Sequence, residues 1–102
     1  METKGSKTVS ASSLTTIPIA DSVVYVAIKG SLHAQDCSAF GLGQEEIKAL
    51  VQKFAGSGSN VVNGITIKTN VLHAINALGQ LGYKVVSSTG EAEITWTLQR
   101  EI

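Results

Sequence analysis

Apolar and polar positions change period several times along the chain, and each change marks an element. Val71, Leu72, Ile75, Leu78 and Leu81 recur at helical spacing, with Ala74 and Ala77 beside them, which predicts a helix with one apolar stripe. Asn70 stands where an N-cap belongs, and Gly82 stands where a helix can exit through a left-handed residue. The period then shortens. Tyr83, Val85 and Ser87 are expected on one face of a strand, with Lys84, Val86 and Ser88 on the other. Ser88-Thr89-Gly90-Glu91 has turn chemistry. Beyond it Ile94, Trp96 and Leu98 alternate with Glu93, Thr95, Thr97 and Gln99, as in a strand with one dry face. The C-terminal unit thus reads as a helix and a hairpin sharing a core, with Trp96 counted in that core.

Earlier in the chain, Val23–Lys29 is apolar on both faces: Val24, Val26 and Ile28 on one, Val23, Tyr25 and Ala27 on the other. Such a strand is central in its sheet, or is covered by another subunit. Gly30–Gly43 reads as a loop with Phe40 and Leu42 tucked in. Gln44–Ala55 reads as a helix with Ile47, Leu50, Val51 and Phe54 in one stripe, Glu45 and Glu46 in the first turn, Lys53 in the last, and Gly56 as the stop. In Val61-Val62-Asn63-Gly64-Ile65-Thr66-Ile67, Asn63-Gly64 predicts a type I′ hairpin turn. The expected fold class is α+β, an antiparallel sheet with two helices packed on one face. Residues 1–13 are polar and are expected to form a disordered arm, with 14–102 as a single domain and Leu14–Ala20 running along a sheet edge near Pro18.

Composition narrows the function classes. The 102 residues carry eight basic and eight acidic side chains. That balance lacks the basic excess of a nucleic-acid module. No apolar run is long enough to span a bilayer, and the N-terminus has no leader-like pattern. One cysteine, Cys37, cannot form an internal disulfide, which fits a cytoplasmic location.

Candidate chemistry is sparse. His33 and Cys37 could be a base and a thiol nucleophile, but no third orienting group is evident. His33, Asp36, Cys37 and His73 share no metal-ligand spacing, so no metal is expected. Glu45 and Glu46 are expected to favour a helix N-terminus and face water rather than act as acid and base. Gly41-x-Gly43 lacks the preceding strand and third glycine of a phosphate-binding fingerprint. No catalytic residue and no cofactor are expected.

The residues of the C-terminal unit, V-L-x(5)-L-x-x-L-G-Y-K-V-V-S-S-T-G followed by W-T-L-Q-R-E, resemble the GTP cyclohydrolase I feedback regulatory protein family. The resemblance rests on Val71-Leu72, Gly82-Tyr83-Lys84-Val85-Val86-Ser87, Thr89-Gly90, Trp96, Leu98 and Glu101, and it spans Asn70–Ile102, roughly a third of the chain. It implies a non-catalytic regulatory subunit that docks on a GTP cyclohydrolase I oligomer and couples it to tetrahydrobiopterin and phenylalanine. It also implies a homo-oligomer, a pentamer, with effectors at or near the enzyme interface. The partner- or ligand-binding residues at the end of the matching stretch are Ser88, Thr89, Gly90, Glu91 and Ala92, and the docking surface is expected to include the loop Gly30–Gly43 as well. Between Gly90 and Trp96 the chain is one residue shorter than the family, with Glu91-Ala92 in place of a Gly-Gln pair. Without the resemblance, the same patterns describe a small self-associating α+β interaction module unrelated to pterin metabolism, or a small thiol enzyme built on Cys37.

Overall fold

The computed structural model describes residues 23–101. The expected arm 1–13 and the segment Leu14–Ala20 lie outside them. The described residues run β1 (Val23–Gly30), β2 (Cys37–Phe40), α1 (Gln44–Lys53), β3 (Asn60–Val61), β4 (Gly64–Ile67), α2 (Val71–Gln80), β5 (Lys84–Gly90) and β6 (Ile94–Glu101). The six strands form one antiparallel sheet in the order β3-β4-β2-β1-β6-β5, so β1 is central. The α+β expectation holds. Among the described residues no helix is long and apolar enough to cross a membrane.

Strand alternation decides which face is dry. Val26 and Ile28 of β1, Cys37 and Ala39 of β2, Ile65 and Ile67 of β4 and Leu98 of β6 are buried on one face. Leu50 of α1 and Val71, Ala74, Ala77 and Leu78 of α2 complete that core, so both helices cover the same side. Ile28, Leu50, Ile67, Val71, Leu78 and Leu98 are the largest side chains removed almost wholly from water. Each contributes about 1.5–3 kcal/mol by burial. Trp96 packs against this cluster and is partly buried. On the other face of β1, Tyr25 is 59% exposed and Val23 is 37% exposed.

The α2 expectation is met at its start, where Asn70 Oδ1 accepts the His73 backbone N–H at 2.9 Å. Leu72, however, points outward, because it shares a face with Asn76 and Gly79 rather than with Val71, Ala74 and Leu78. Helix α1 ends at Lys53 rather than Ala55, with Phe54 as C-cap, and Val51 lies outside its buried stripe.

Three expectations about loops and turns need correction. Gly30–Gly43 is not one loop. Cys37–Phe40 forms β2, held between β1 and β4 by pairs such as Ile28 with Ala39 and Cys37 with Ile67. The β3–β4 turn is centred on Val62-Asn63, not Asn63-Gly64: Val61 pairs with Gly64, and Asn63 alone takes the left-handed conformation, at φ 64. Gly64 is needed for packing, since a Cβ there would sit 2.2 Å from the Ala39 carbonyl oxygen. In β5 an irregularity at Val86 shifts the register, so that Val85 pairs with Leu98 and Ser87 with Thr97. Ser87 therefore leaves the face of Val85, as an extra residue in a bulged strand requires.

Candidate functional site

The β1–β6 register brings two connections together. Gly30, the last residue of β1, pairs with Ile94, the first of β6. The chain leaving β1 into the loop Ser31–Asp36 therefore meets the turn Glu91–Glu93 that enters β6. An ion pair between Lys29 and Glu93, 3.7 Å apart, bridges the two sides. Within the loop, Ser31 accepts twice: its carbonyl takes the Ala34 N–H at 3.1 Å and its hydroxyl takes the His33 N–H at 3.2 Å. Gly90, the last residue of β5, is required to be glycine, since its φ is 119 and a Cβ there would collide with the Glu93 carbonyl oxygen.

The result is a cleft of about 150 Å³ lined by Ser31, Leu32, His33, Glu91, Ala92 and Ile94. Leu32 is 53% exposed at its rim. Leu32 and His33 also border a second cleft of about 420 Å³ that reaches Lys68, Thr69, Asn70 and His73 at the start of α2. There Thr69 Oγ1 lies 3.2 Å from His73 Nδ1, and Lys68 lies 3.6 Å from Asp36.

Of the residues expected to contact a partner, Glu91 and Ala92 line the smaller cleft. Ser88, Thr89 and Gly90 belong to β5 instead of the turn, paired with Trp96, Thr95 and Ile94. The turn begins one residue after Gly90 because the ladder continues to the Gly90–Ile94 pair before the chain reverses. All five are exposed.

His33 and Cys37 stand in different surroundings. His33 borders the clefts just described, whereas Cys37 is 5% exposed in β2 and borders a separate cleft with Lys29, Asp36 and Glu93. Burial, aided by the nearby Asp36 carboxylate, pushes its thiol up to about 11. At neutral pH it is therefore a protonated core residue, not a thiolate nucleophile. Among the described residues no group of three or more His, Cys, Asp or Glu side chains is placed to hold a metal.

The opposite end of the sheet holds a cluster that the sequence reading missed. Glu46 does not face water; its side chain is only 12% exposed. Its Oε2 accepts the Tyr83 hydroxyl at 2.8 Å and Arg100 Nη1 at 2.8 Å, and its Oε1 accepts the Gly43 N–H at 3.0 Å. Arg100 also donates to the Leu81 carbonyl at 3.2 Å and lies 4.6 Å over the Tyr83 ring. Burial raises the Tyr83 phenol to about 12, reinforced by the Glu46 hydrogen bond and charge, against the lowering by Arg100. A shallow cleft of about 480 Å³ opens beside these groups. Both Glu46 oxygens already have donors, so the cluster fastens α1 to the C-terminal strands and leaves no free carboxylate for acid–base work. The available signal was Arg100 itself, which falls on the dry face by alternation with Leu98 and Trp96 and so needs a buried partner.

Comparison of the chain with protein-family models, with curated proteins and with solved structures found no match. What the surface can do is read from its own residues. Glu91, Ala92 and Ile94 face Ser31, Leu32 and His33 across the smaller cleft, a mixture of apolar and polar side chains.

Proposed function

We propose that this chain is a non-catalytic regulatory subunit that docks on a GTP cyclohydrolase I oligomer and couples it to tetrahydrobiopterin or phenylalanine. The reading starts from the resemblance of Asn70–Ile102. The observation that carries it further is the meeting of that segment's turn, at Glu91-Ala92, with Ser31–His33 around one cleft. Two segments far apart in sequence thereby offer a continuous surface on a rigid sheet end, and loops so held are where recognition concentrates. An effector acts through such a subunit only by favouring the docked complex or one of its conformations. A cytoplasmic location and a ring of five copies are parts of the same proposal.

A pull-down of the cognate GTP cyclohydrolase I, with and without phenylalanine, tests it. Retention of the enzyme is the expected result, and its absence under every effector condition refutes the reading. A second reading, a self-associating α+β module with no pterin connection, is favoured by the exposed apolar side chains Val23 and Tyr25 of β1. It predicts self-association by sedimentation together with no enzyme binding.

A further inference from the structure

Asn63 is the one asparagine of four that precedes a glycine; Asn60 and Asn70 precede valines and Asn76 precedes Ala77. The fold explains why this dipeptide stands at the β3–β4 turn. Position 63 must adopt φ 64, a conformation that asparagine tolerates better than other residues with side chains. Position 64 must lack a Cβ, which would sit 2.2 Å from the Ala39 carbonyl and 2.7 Å from the Phe40 ring. The turn dictates the first residue and the neighbouring strand dictates the second. Their combination brings together a labile side-chain amide and the least hindered backbone nitrogen a chain can offer.

We propose that Asn63 is a site of spontaneous deamidation at the exposed tip of this hairpin. The Gly64 backbone nitrogen gives its proton to solvent and attacks Cγ of Asn63. A bond forms between the Gly64 nitrogen and Cγ, the bond from Cγ to the side-chain nitrogen breaks, and the side-chain nitrogen takes up a proton from solvent and departs as ammonia. Water then adds to either carbonyl of the cyclic imide and opens it. The product is aspartate, or isoaspartate with the main chain routed through the former side chain. Neither oxidant nor reductant takes part.

Ring closure requires Gly64 to leave the ladder. Strand β3 is two residues long and lies at the edge of the sheet formed by the described residues, so releasing Gly64 from Val61 costs little, whereas its pair with Phe40 in β2 must be disturbed as well and slows the closure. The other asparagines are held or shielded. Asn70 Oδ1 is engaged by the His73 N–H, Asn76 lies within α2, and Asn60 is followed by the β-branched Val61. Isoaspartate at 63 lengthens the main chain within a turn of two residues. The pairs Asn60 with Ile65 and Val61 with Gly64 then cannot both persist, and β4 becomes the edge of the sheet.

Incubating the full chain at neutral and mildly alkaline pH, with peptide mass mapping and isoaspartyl methyltransferase labelling, tests the proposal. Asn63→Gly is the comparator, since glycine keeps the left-handed turn and removes the amide. The expected result is an amide-to-acid mass gain and methyl labelling confined to the peptide containing residue 63, faster at higher pH and lost in Asn63→Gly. The proposal is overturned if native protein gains no isoaspartate at 63 while the urea-unfolded chain does. It is equally overturned if another asparagine converts first.

Discussion

Replacing Glu46 with alanine removes the single acceptor shared by Tyr83 and Arg100. Tyr83 is 5% exposed and its hydroxyl loses its partner in a part-buried site beside the cleft, which costs up to about 1–3 kcal/mol. Breaking a fully buried ion pair costs about 3–5 kcal/mol, but the Arg100 side chain is 32% exposed and water recovers part of that. The capping contact to the Gly43 N–H is lost as well. Together these place the loss at about 2–4 kcal/mol, since the terms share one carboxylate and do not add in full. Urea unfolding followed by the fluorescence of the lone Trp96 measures it, with the midpoint read at unchanged slope. Glu45→Ala is the control. Its side chain is 89% exposed and touches only Lys48, at 3.8 Å among the ion pairs described, so it is expected to cost no more than about 0.5 kcal/mol. A cycle pairing Glu46→Ala with Arg100→Met should give a coupling of about 1–2 kcal/mol. If Glu46→Ala behaves like Glu45→Ala, the clamp is not what fastens α1.

Three other outcomes follow from the same structure. Tyr83 has a phenol raised from 10.0 to about 12, so the folded chain holds a proton that the unfolded chain releases first; stability should fall as pH rises through that window, and Tyr83→Phe should remove this part of the decline. Gly90→Ala should cost at least about 1–3 kcal/mol from backbone strain alone, with the close Glu93 carbonyl adding to it; an unchanged melting temperature would contradict the turn geometry. Cys37 should react slowly with thiol reagents in the native state and rapidly after unfolding; fast native labelling would show that β2 does not bury it.

How much was legible in the sequence depends on the range of the forces involved. Helix α2 and strand β6 could be read because their own spacing exposes one apolar face, and Asn70 carries its cap within its own side chain. Strand β2 could not. Cys-Ser-Ala-Phe is four residues of mostly small side chains between turn residues, and what makes it a strand is pairing with β1 and β4. The Asn-Gly signal pointed to a real hairpin but to the wrong central pair, because Gly64 answers to a carbonyl on β2 rather than to the turn. A place in a first helical turn points Glu46 to water, and only its approach to residues 83 and 100 reverses that. At the candidate surface, the turn was located to within a few residues. Its partner Ser31–His33 fell within a longer stretch read as loop, and the β1–β6 register alone shows which part of that stretch meets Glu91-Ala92.

The proposed docking is tested most directly by calorimetric titration of the chain into GTP cyclohydrolase I, with phenylalanine, with tetrahydrobiopterin and with neither. The same titration is run with a Leu32→Asp, Ala92→Arg variant. Both substitutions lie on the exposed cleft rim, so the variant is expected to melt within a few degrees of the parent. The account predicts saturable binding of the parent and loss of binding by the variant, with docking kept more securely than the response to phenylalanine, since Glu91-Ala92 stands where the resembled family has a Gly-Gln pair. Absence of binding under all three conditions, or binding that the variant retains in full, would contradict it.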